Sequence, residues 1–130
     1  MKLQKILVVD DSPTELPMVI DILNRHKIPE IVTATNGLDA VAKAESEKPD
    51  LILMDVVMPG INGYQATRIL SKNENTQHIP IVLCTTKGEE TDKIWGMRQG
   101  AVGYLVKPYV AEDLLAKITD LLKVELADEH

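Results

Sequence analysis

The chain has 130 residues, 45% of them hydrophobic, and a formal net charge of −6 at pH 7. This length and composition fit one folded domain and argue against a disordered chain, and a negative charge without a basic stripe argues against direct nucleic-acid binding. The apolar run after Lys5 is too short for a signal peptide or a membrane span, and the lone Cys84 cannot form an internal disulfide. These features predict a cytoplasmic protein without membrane insertion, in which Cys84 is a buried structural thiol.

Five apolar runs alternate with segments of helical spacing along the chain. The runs lie near residues 5–10, 30–34, 51–55, 81–85 and 103–107. Because their apolar character is continuous rather than alternating, they predict strands that are buried on both faces. Strands that alternate with helices predict βαβ units. We therefore expect an α/β fold, a five-stranded parallel sheet with five helices in a three-layer α/β/α arrangement.

The first predicted helix has a clear start signal and one irregular residue. Ser12, Pro13 and Glu15 have the spacing of an N-cap, a first-turn proline and a capping-box glutamate. Pro17 falls inside the same helix, where it lacks an N–H and crowds the carbonyl of Pro13. The sequence therefore predicts either an irregular helix start or a kink at Pro17.

The spacing of apolar residues predicts two later helices, and the residues after the second helix are predicted to form a tail. One helix is predicted from residue 38 to about residue 45. The last one, over residues 111–122, has apolar residues at i, i+3, i+4 and i+7 and charged residues on the opposite face. Residues 124–130 are predicted to form a frayed acidic tail on a domain that spans residues 1–123.

Charged residues close three of the predicted strands. Asp10 and Asp11 follow the first run, Asp55 ends the third and Lys107 ends the fifth. The carboxyl ends of parallel strands meet at one rim of a sheet, where open α/β sheets bind ligands. Asp11 and Asp55 suit direct coordination of Mg²⁺, and Asp10 suits the orientation of a bound water. Asp55 is then the nucleophile for an incoming phosphoryl group.

Two further side chains are candidates for binding the phosphoryl oxygens. Lys107 supplies a positive charge, and Thr85 at the end of the fourth run supplies a hydroxyl. Taken singly, each charged residue also has an ordinary role, as a turn aspartate or a solvated surface lysine. Their common position at strand ends favours the site. The Lys107–Pro108 bond is either a cis peptide that fixes the lysine or the statistically commoner trans form.

Four motifs in a fixed order carry a family resemblance. They are V-V-D-D-S (Val8 to Ser12), L-M-D-V-V-M-P-G-I-N-G (Leu53 to Gly63), T-T (Thr85, Thr86) and G-Y-L-V-K-P (Gly103 to Pro108). Together they resemble the receiver domain of two-component response regulators, over residues 5 to about 123. The resemblance implies a flavodoxin-like doubly wound sheet with the strand order 2-1-3-4-5.

The resemblance also implies a role for each site residue, with Asp55 as the phosphoacceptor. The ligands of Mg²⁺, or of Mn²⁺ in its place, are Asp10, Asp11, Asp55 and the backbone carbonyl of Val57. The residues that bind the phosphate or switch with it are Thr85, Thr86, Lys107 and Tyr104.

A switch follows from the same resemblance. Phosphorylation is expected to draw the Thr85 hydroxyl inward and to turn Tyr104 from an outward to an inward rotamer. The output face is then expected on the fourth helix, fifth strand and fifth helix. Its candidate contact residues are Lys93, Met97, Tyr104 and Lys117.

The expected function is that of a stand-alone, monomeric signalling switch that catalyses only its own phosphotransfer and dephosphorylation. Its phosphodonor is expected to be a histidine kinase of the CheA type. The stretches D-D-S-P-T-E and T-T-K-G-E-E-T-D-K-I-W-G-M-R-Q-G-A look most like the single-domain regulators of twitching motility, which implies a motility or chemotaxis-like output.

Three alternatives remain open at this point. A phosphate sink, which removes phosphoryl groups from a kinase that it shares with another regulator, would have the same site. A flavin-binding module of this fold would need a phosphate loop rich in Ser, Thr and Gly, whereas the loop here is Asp-Asp-Ser-Pro. An aspartate-nucleophile phosphohydrolase would need a cap or a substrate pocket, for which the chain has little sequence.

Overall fold

The computed structural model describes residues 3–86 and 89–123, and in these ranges five strands alternate with five helices. The elements are β1 (Lys5–Val9), α1 (Glu15–Arg25), β2 (Glu30–Ala34), α2 (Gly37–Glu47), β3 (Leu51–Asp55), α3 (Gly63–Lys72), β4 (Ile81–Thr85), α4 (Glu90–Arg98), β5 (Gly103–Val106) and α5 (Ala111–Leu122). The predicted alternation is therefore confirmed. The predicted tail, residues 124–130, lies outside the described residues. Within the described ranges, no helix combines the length and the apolar character that crossing a bilayer requires.

The five strands form one parallel sheet in the order β2-β1-β3-β4-β5, as the family resemblance implied. Pairing brings the carboxyl ends of neighbouring strands level, with Asp55 opposite Cys84 and Thr85 opposite Val106. The strand-end residues of β1, β3, β4 and β5 therefore gather at one edge, which we call the rim.

Each face of the sheet has its own hydrophobic core. One core packs against α2 and α3 and includes Leu7 from β1, and the other packs against α1 and α5 and includes Val8. Successive side chains of a strand point to opposite faces, so a strand covered on both sides needs apolar residues throughout. This explains the continuous apolar runs in the sequence. Cys84 lies buried in the second of these cores, as expected.

The start of α1 settles the alternatives at Pro17 and corrects one expectation. The helix begins at Glu15, so that Pro17 is its third residue and the irregular start is the one observed. The N-cap position falls on Thr14, so the prediction that Ser12 is the N-cap and Pro13 lies in the first turn is wrong. The hydroxyl of Ser12 does accept a hydrogen bond from the backbone N–H of Glu15 (3.0 Å), which is half of the predicted capping box. The other half is wrong, because the N–H of Ser12 donates to Asp10 Oδ1 (2.8 Å) and the Glu15 carboxylate points to the rim instead.

Candidate metal and phosphoryl site

Strand ladders fix the backbone of the rim residues. The N–H of Asp10, just beyond β1, donates to the carbonyl of Ala34 at 3.0 Å. Asp55 is the last residue of β3. The N–H of Lys107, just beyond β5, donates to the carbonyl of Thr85 at 2.7 Å. Because the parallel ladders continue to these residues, the three side chains emerge from neighbouring, well-defined positions.

The predicted acidic residues do come together. Carboxylate oxygens of Asp10, Asp11 and Asp55 all lie within 4.8 Å of one another, and the first and last of these residues are buried whereas Asp11 is exposed. Three hard oxygen ligands at this spacing, open to solvent on one side, suit Mg²⁺, which keeps several waters and needs only one or two carboxylates. The donor set therefore fits the predicted cation.

The carboxyl group of Asp55 ionises at a higher pH than an ordinary aspartate does. Burial raises its pKa from the ordinary 3.8 to about 6, and the negative charges of Asp10 and Asp11 add to the increase. The charge and hydrogen bond of Lys107 act in the opposite direction but do not cancel it. A bound cation would favour the ionised form, since it adds a positive charge where negative charges already crowd.

Lys107 is held by three carboxylates. Its Nζ lies 2.5 Å from Glu15 Oε2, 3.2 Å from Asp55 Oδ1 and 3.3 Å from Asp10 Oδ2. Burial lowers the pKa of Lys107, but the hydrogen bond to Glu15 and the charges of Asp10 and Asp55 raise it by more, so the net shift is upward. The pKa of Asp55 thus rises mainly because the carboxyl group is buried, whereas that of Lys107 rises because its carboxylate partners outweigh burial. The Lys107–Pro108 peptide bond is cis, the first of the two alternatives.

Glu15 is a rim residue that the sequence analysis assigned to another role. It was predicted to complete a capping box, and the structure places its carboxylate on Lys107, 92 positions away in the chain. One available signal was its position in the first turn of the helix that follows β1, which starts at the rim in a βαβ unit. The capping pattern of Ser12 and Glu15 favoured a local role for the glutamate instead.

The loop after Asp55 folds back tightly against β3. The N–H of Gly63 donates to the carbonyl of Val56 at 2.8 Å. A Cβ atom on Gly63 would lie 2.3 Å from the backbone oxygen of Asp55, so only glycine permits this approach. The following helix is secured by a capping box between Asn62 and Gln65. The side chain of Val57 is exposed, and the role of its carbonyl as a metal ligand stays a prediction.

Thr85 and Tyr104 lie together beneath the rim. Both are buried, and the Tyr104 hydroxyl is hydrogen-bonded to the Thr85 side chain and to the hydroxyl of Tyr64, the latter at 3.2 Å. Burial and the contact with Tyr64 raise the pKa of Tyr104. Tyr104 therefore has the inward orientation. Tyr64 was missed by the sequence analysis, and its only signal was its position directly after the tightly packed Gly63.

The remaining predicted residues lie around the rim and on the α4–β5–α5 face. Thr86 is exposed beside Thr85. Met97 of α4 is 46% exposed, whereas Tyr104 is only 8% exposed and has little surface for a partner in this orientation. Tyr104 and Lys117 line one open groove of about 620 Å³ between β5 and α5. Lys93 lies on α4, half-buried. The assignment of these residues to an output face stays a prediction.

A comparison with known protein families identifies the chain. A family model described as the response regulator receiver domain matches residues 6–119. This chain belongs to the response regulator receiver family. Members of this family are signalling switches that accept a phosphoryl group from histidine kinases, and they bind Mg²⁺ at an acidic pocket.

Individual receivers resemble the chain over most of its length. Protein PilH of Pseudomonas aeruginosa is 52% identical over 118 residues, which cover 91% of this chain and 97% of PilH. The structure of the chemotaxis protein CheY4 of Vibrio cholerae is 33% identical with a TM-score of 0.85, over 92% of this chain and 99% of that one. These matches confirm the resemblance to receivers and to twitching-motility regulators.

A third relative was solved with a metal ion. The receiver domain of the sensor histidine kinase PA1611 of P. aeruginosa has a magnesium ion coordinated in its active site cleft. It is 28% identical with a TM-score of 0.83, over 95% of this chain and all of that one. Other relatives are longer, and the chain spans about half the length of the transcriptional regulators PhoP of Bacillus subtilis and PhoB of P. aeruginosa.

Proposed function

We propose that this receiver accepts a phosphoryl group on Asp55 from a histidine kinase and then changes conformation to control a motility or chemotaxis-like output. One observation carries the proposal. The Asp55 carboxylate is 3.2 Å from the ammonium of Lys107 and within 4.8 Å of the carboxylates of Asp10 and Asp11. A nucleophile, a positive charge and a candidate cation site thus meet at one point of the rim.

The proposed reaction is an in-line displacement at phosphorus. A carboxylate oxygen of Asp55 attacks, a P–O bond forms, and the P–N bond to the kinase histidine breaks with its electron pair moving to the ring nitrogen. Lys107 neutralises charge on the transferring oxygens, and its position is fixed by the ladder bond to Thr85 and by its three carboxylate contacts. Asp55 reacts as the ionised carboxylate, which is the main form at pH 7 of a group whose pKa is about 6.

The cation belongs to the proposal. Mg²⁺, or Mn²⁺, would be held by Asp10, Asp11, Asp55 and the carbonyl of Val57, and would neutralise both the carboxylates and the phosphoryl oxygens. Asp11 is exposed and Asp10 is buried, so we assign direct binding to Asp11 and the orientation of a bound water to Asp10. The magnesium ion in the active site cleft of the PA1611 receiver supports the binding of a cation by a receiver of this kind.

The proposed switch uses Thr85, with Thr86 as a further hydroxyl beside it. The Thr85 side chain is bonded to Tyr104, so a phosphoryl oxygen that draws this hydroxyl toward Asp55 competes with the Tyr104 contact. Tyr104 is bonded in turn to Tyr64 on α3. Because Tyr104 is already inward in this structure, phosphorylation would not bring it in from an outward rotamer, as the resemblance implied. It would instead change the bonds of Tyr104 and with them the α4–β5–α5 face, by differential stabilisation of states that both exist beforehand.

The identity of the pathway is also part of the proposal. Similarity to PilH over 97% of its length supports a regulator of motility, and similarity to a chemotaxis protein supports a CheA-type kinase. A cytoplasmic location agrees with a donor of that kind and with the single, buried Cys84.

Phosphorylation on Asp55 is tested by intact-mass analysis after brief exposure to acetyl phosphate with magnesium. We expect one added phosphoryl group in the wild type, none after chelation, and none in Asp55→Asn. Asp120→Asn removes an exposed carboxylate from α5 and should be labelled like the wild type. Persistence of the same mass increase in Asp55→Asn would falsify the assignment.

A further inference from the structure

Glu15 differs from the other acidic groups of the rim. Asp10, Asp11 and Asp55 form the candidate cation site, whereas Glu15 is the first residue of α1 and its carboxylate forms an ion pair with Lys107. Its Oε2 is 2.5 Å from Lys107 Nζ, the shortest of the three contacts of that ammonium.

This pair is unlike the surface ion pairs of the molecule. Arg25 and Asp21 on α1 form a pair in which both side chains are at least half exposed, and such pairs contribute little because water screens them. In the rim pair the side chain of Lys107 is only 10% exposed, while that of Glu15 is 46% exposed. A charge interaction with one buried partner is screened less, so Glu15 has a substantial influence on where the ammonium lies.

The hydrogen-bond donors of Lys107 are all in use. An ammonium has three N–H groups, and the three carboxylates of Glu15, Asp55 and Asp10 match them one to one. A phosphoryl group on Asp55 needs at least one of these donors. Asp10 is buried, and its other carboxylate oxygen is already bonded to the N–H of Ser12. Glu15 is half exposed and borders a cavity of about 200 Å³, so it has room to turn aside.

We infer that Glu15 is a positioning residue that competes with the phosphoryl group for Lys107, holding the ammonium toward α1 and lowering the affinity of the rim for a phosphoryl anion. The inference rests on the proposed phosphorylation of Asp55. Charge supports it as well, because Glu15 adds a fourth negative group beside a site that must accept a further anion. Loss of its charge should therefore favour a phosphoryl-like anion and should not favour a cation.

The test is a titration of the full chain with beryllofluoride, a phosphoryl mimic, at saturating magnesium. Binding is monitored by the amide NMR shifts. Glu15→Gln should reach half-saturation at a beryllofluoride concentration about three- to tenfold lower than the wild type, as expected for removal of one nearby, partly screened charge. Asp21→Asn is the matched control, since it removes one negative charge from the same helix away from the rim. It should stay within about twofold of the wild type, because exposed and distant charges are screened.

A second titration, with magnesium alone, separates this role from a general effect on folding. Glu15→Gln should bind magnesium as well as the wild type or more weakly, whereas a variant that merely loosened the rim would lose affinity for both ligands. Equal or weaker beryllofluoride binding by Glu15→Gln overturns the inference. Failure of the wild type itself to bind beryllofluoride or to be labelled by acetyl phosphate would instead refute the proposed function, and the inference with it.

Discussion

The rim and helix α4 are held in the fold in different ways. At the rim, Asp10 and Asp55 are buried, continue strand ladders and are tied to Lys107. In α4, Gly96 is the only buried residue, while Trp95 and Met97 are about half exposed. Segments with few buried contacts are the ones that open or shift at low cost in free energy. The difference suggests a rigid chemical site beside a loosely attached surface that can respond to it.

The largest expected effect comes from Lys107→Ala. It leaves two buried carboxylates without their positive partner, which should lower the free energy of unfolding at pH 7 by about 2–4 kcal/mol, near the range for broken buried ion pairs. Urea denaturation with and without magnesium measures this, and magnesium should restore part of the loss because it supplies positive charge.

Lys43→Ala is the control for that measurement. Its ammonium pairs with Asp39 on α2 and also donates to the carbonyl of Thr33, and the side chains of Lys43 and Asp39 are both more than a third exposed. Such a pair contributes up to about 1 kcal/mol. Equal losses in the two variants would contradict the description of the rim as a site held by buried charge.

Asp55→Asn should stabilise the fold, and the gain should depend on pH. The pKa of Asp55 is raised from 3.8 to about 6, so between these values the folded state binds more protons than the unfolded state, and stability falls as the pH rises. Asparagine has no such proton to lose. The variant should therefore match the wild type near pH 4 and exceed it at pH 7 by about 2–3 kcal/mol, at roughly 1.4 kcal/mol per pKa unit.

Paired urea denaturations at the two pH values, without magnesium, check this expectation. A gain that is the same at both pH values would show that the titration of Asp55 is not its source. A destabilised variant at pH 7 would show that the bond from Lys107 outweighs the burial of the carboxylate.

A pair of glycine substitutions compares the two regions directly. The Cβ of Gly63→Ala would meet the backbone oxygen of Asp55 at 2.3 Å, and the loop would have to move, which should cost about 1–3 kcal/mol. The Cβ of Gly96→Ala would meet a methyl group of Leu83 at 2.7 Å. Leu83 is buried, but its methyl group is the end of a flexible side chain and gives way more easily than backbone does. Alanine also favours the helix by about 1 kcal/mol, so the net loss should be smaller than that of Gly63→Ala.

Thermal and urea denaturation of the two variants test the comparison, with magnesium titrations as a second measurement. Gly63→Ala should also weaken magnesium binding, because it displaces the backbone next to Asp55, whereas Gly96→Ala should not. The reverse order of stability would mean that α4, not the rim, is the more tightly packed region.

The smallest effect is expected on the exposed surface of α4. Met97→Gln keeps the length of a side chain that is 46% exposed, and it should change the free energy of unfolding by less than about 0.5 kcal/mol. Urea denaturation, monitored by the fluorescence of Trp95, measures this change in the free energy of unfolding. A loss as large as that of Gly63→Ala would show that α4 is held firmly, and would remove the basis for a mobile output face.

Much of the fold could be predicted because its causes are local and repeated. The run Ile6 to Val9 predicted a strand buried on both faces, and the structure buries each of those residues. The gathering of Asp10, Asp55 and Lys107 followed from one further rule, that parallel strands end at the same edge. Their chemical roles stay predictions.

The contacts within the rim were decided only by the tertiary structure. Sequence rules compare residues a few positions apart, and by those rules Glu15 belonged to a capping box with Ser12. The start of α1 lies beside the loop that follows β5, which brings the Glu15 carboxylate to Lys107, 92 positions away. Asp10 accepts the N–H of Ser12 in place of Glu15. The strands and their charged ends were thus determined by the sequence itself, because hydrophobic burial selects them residue by residue. Which carboxylate binds the lysine depends on distances between elements, and those exist only once the layers have packed.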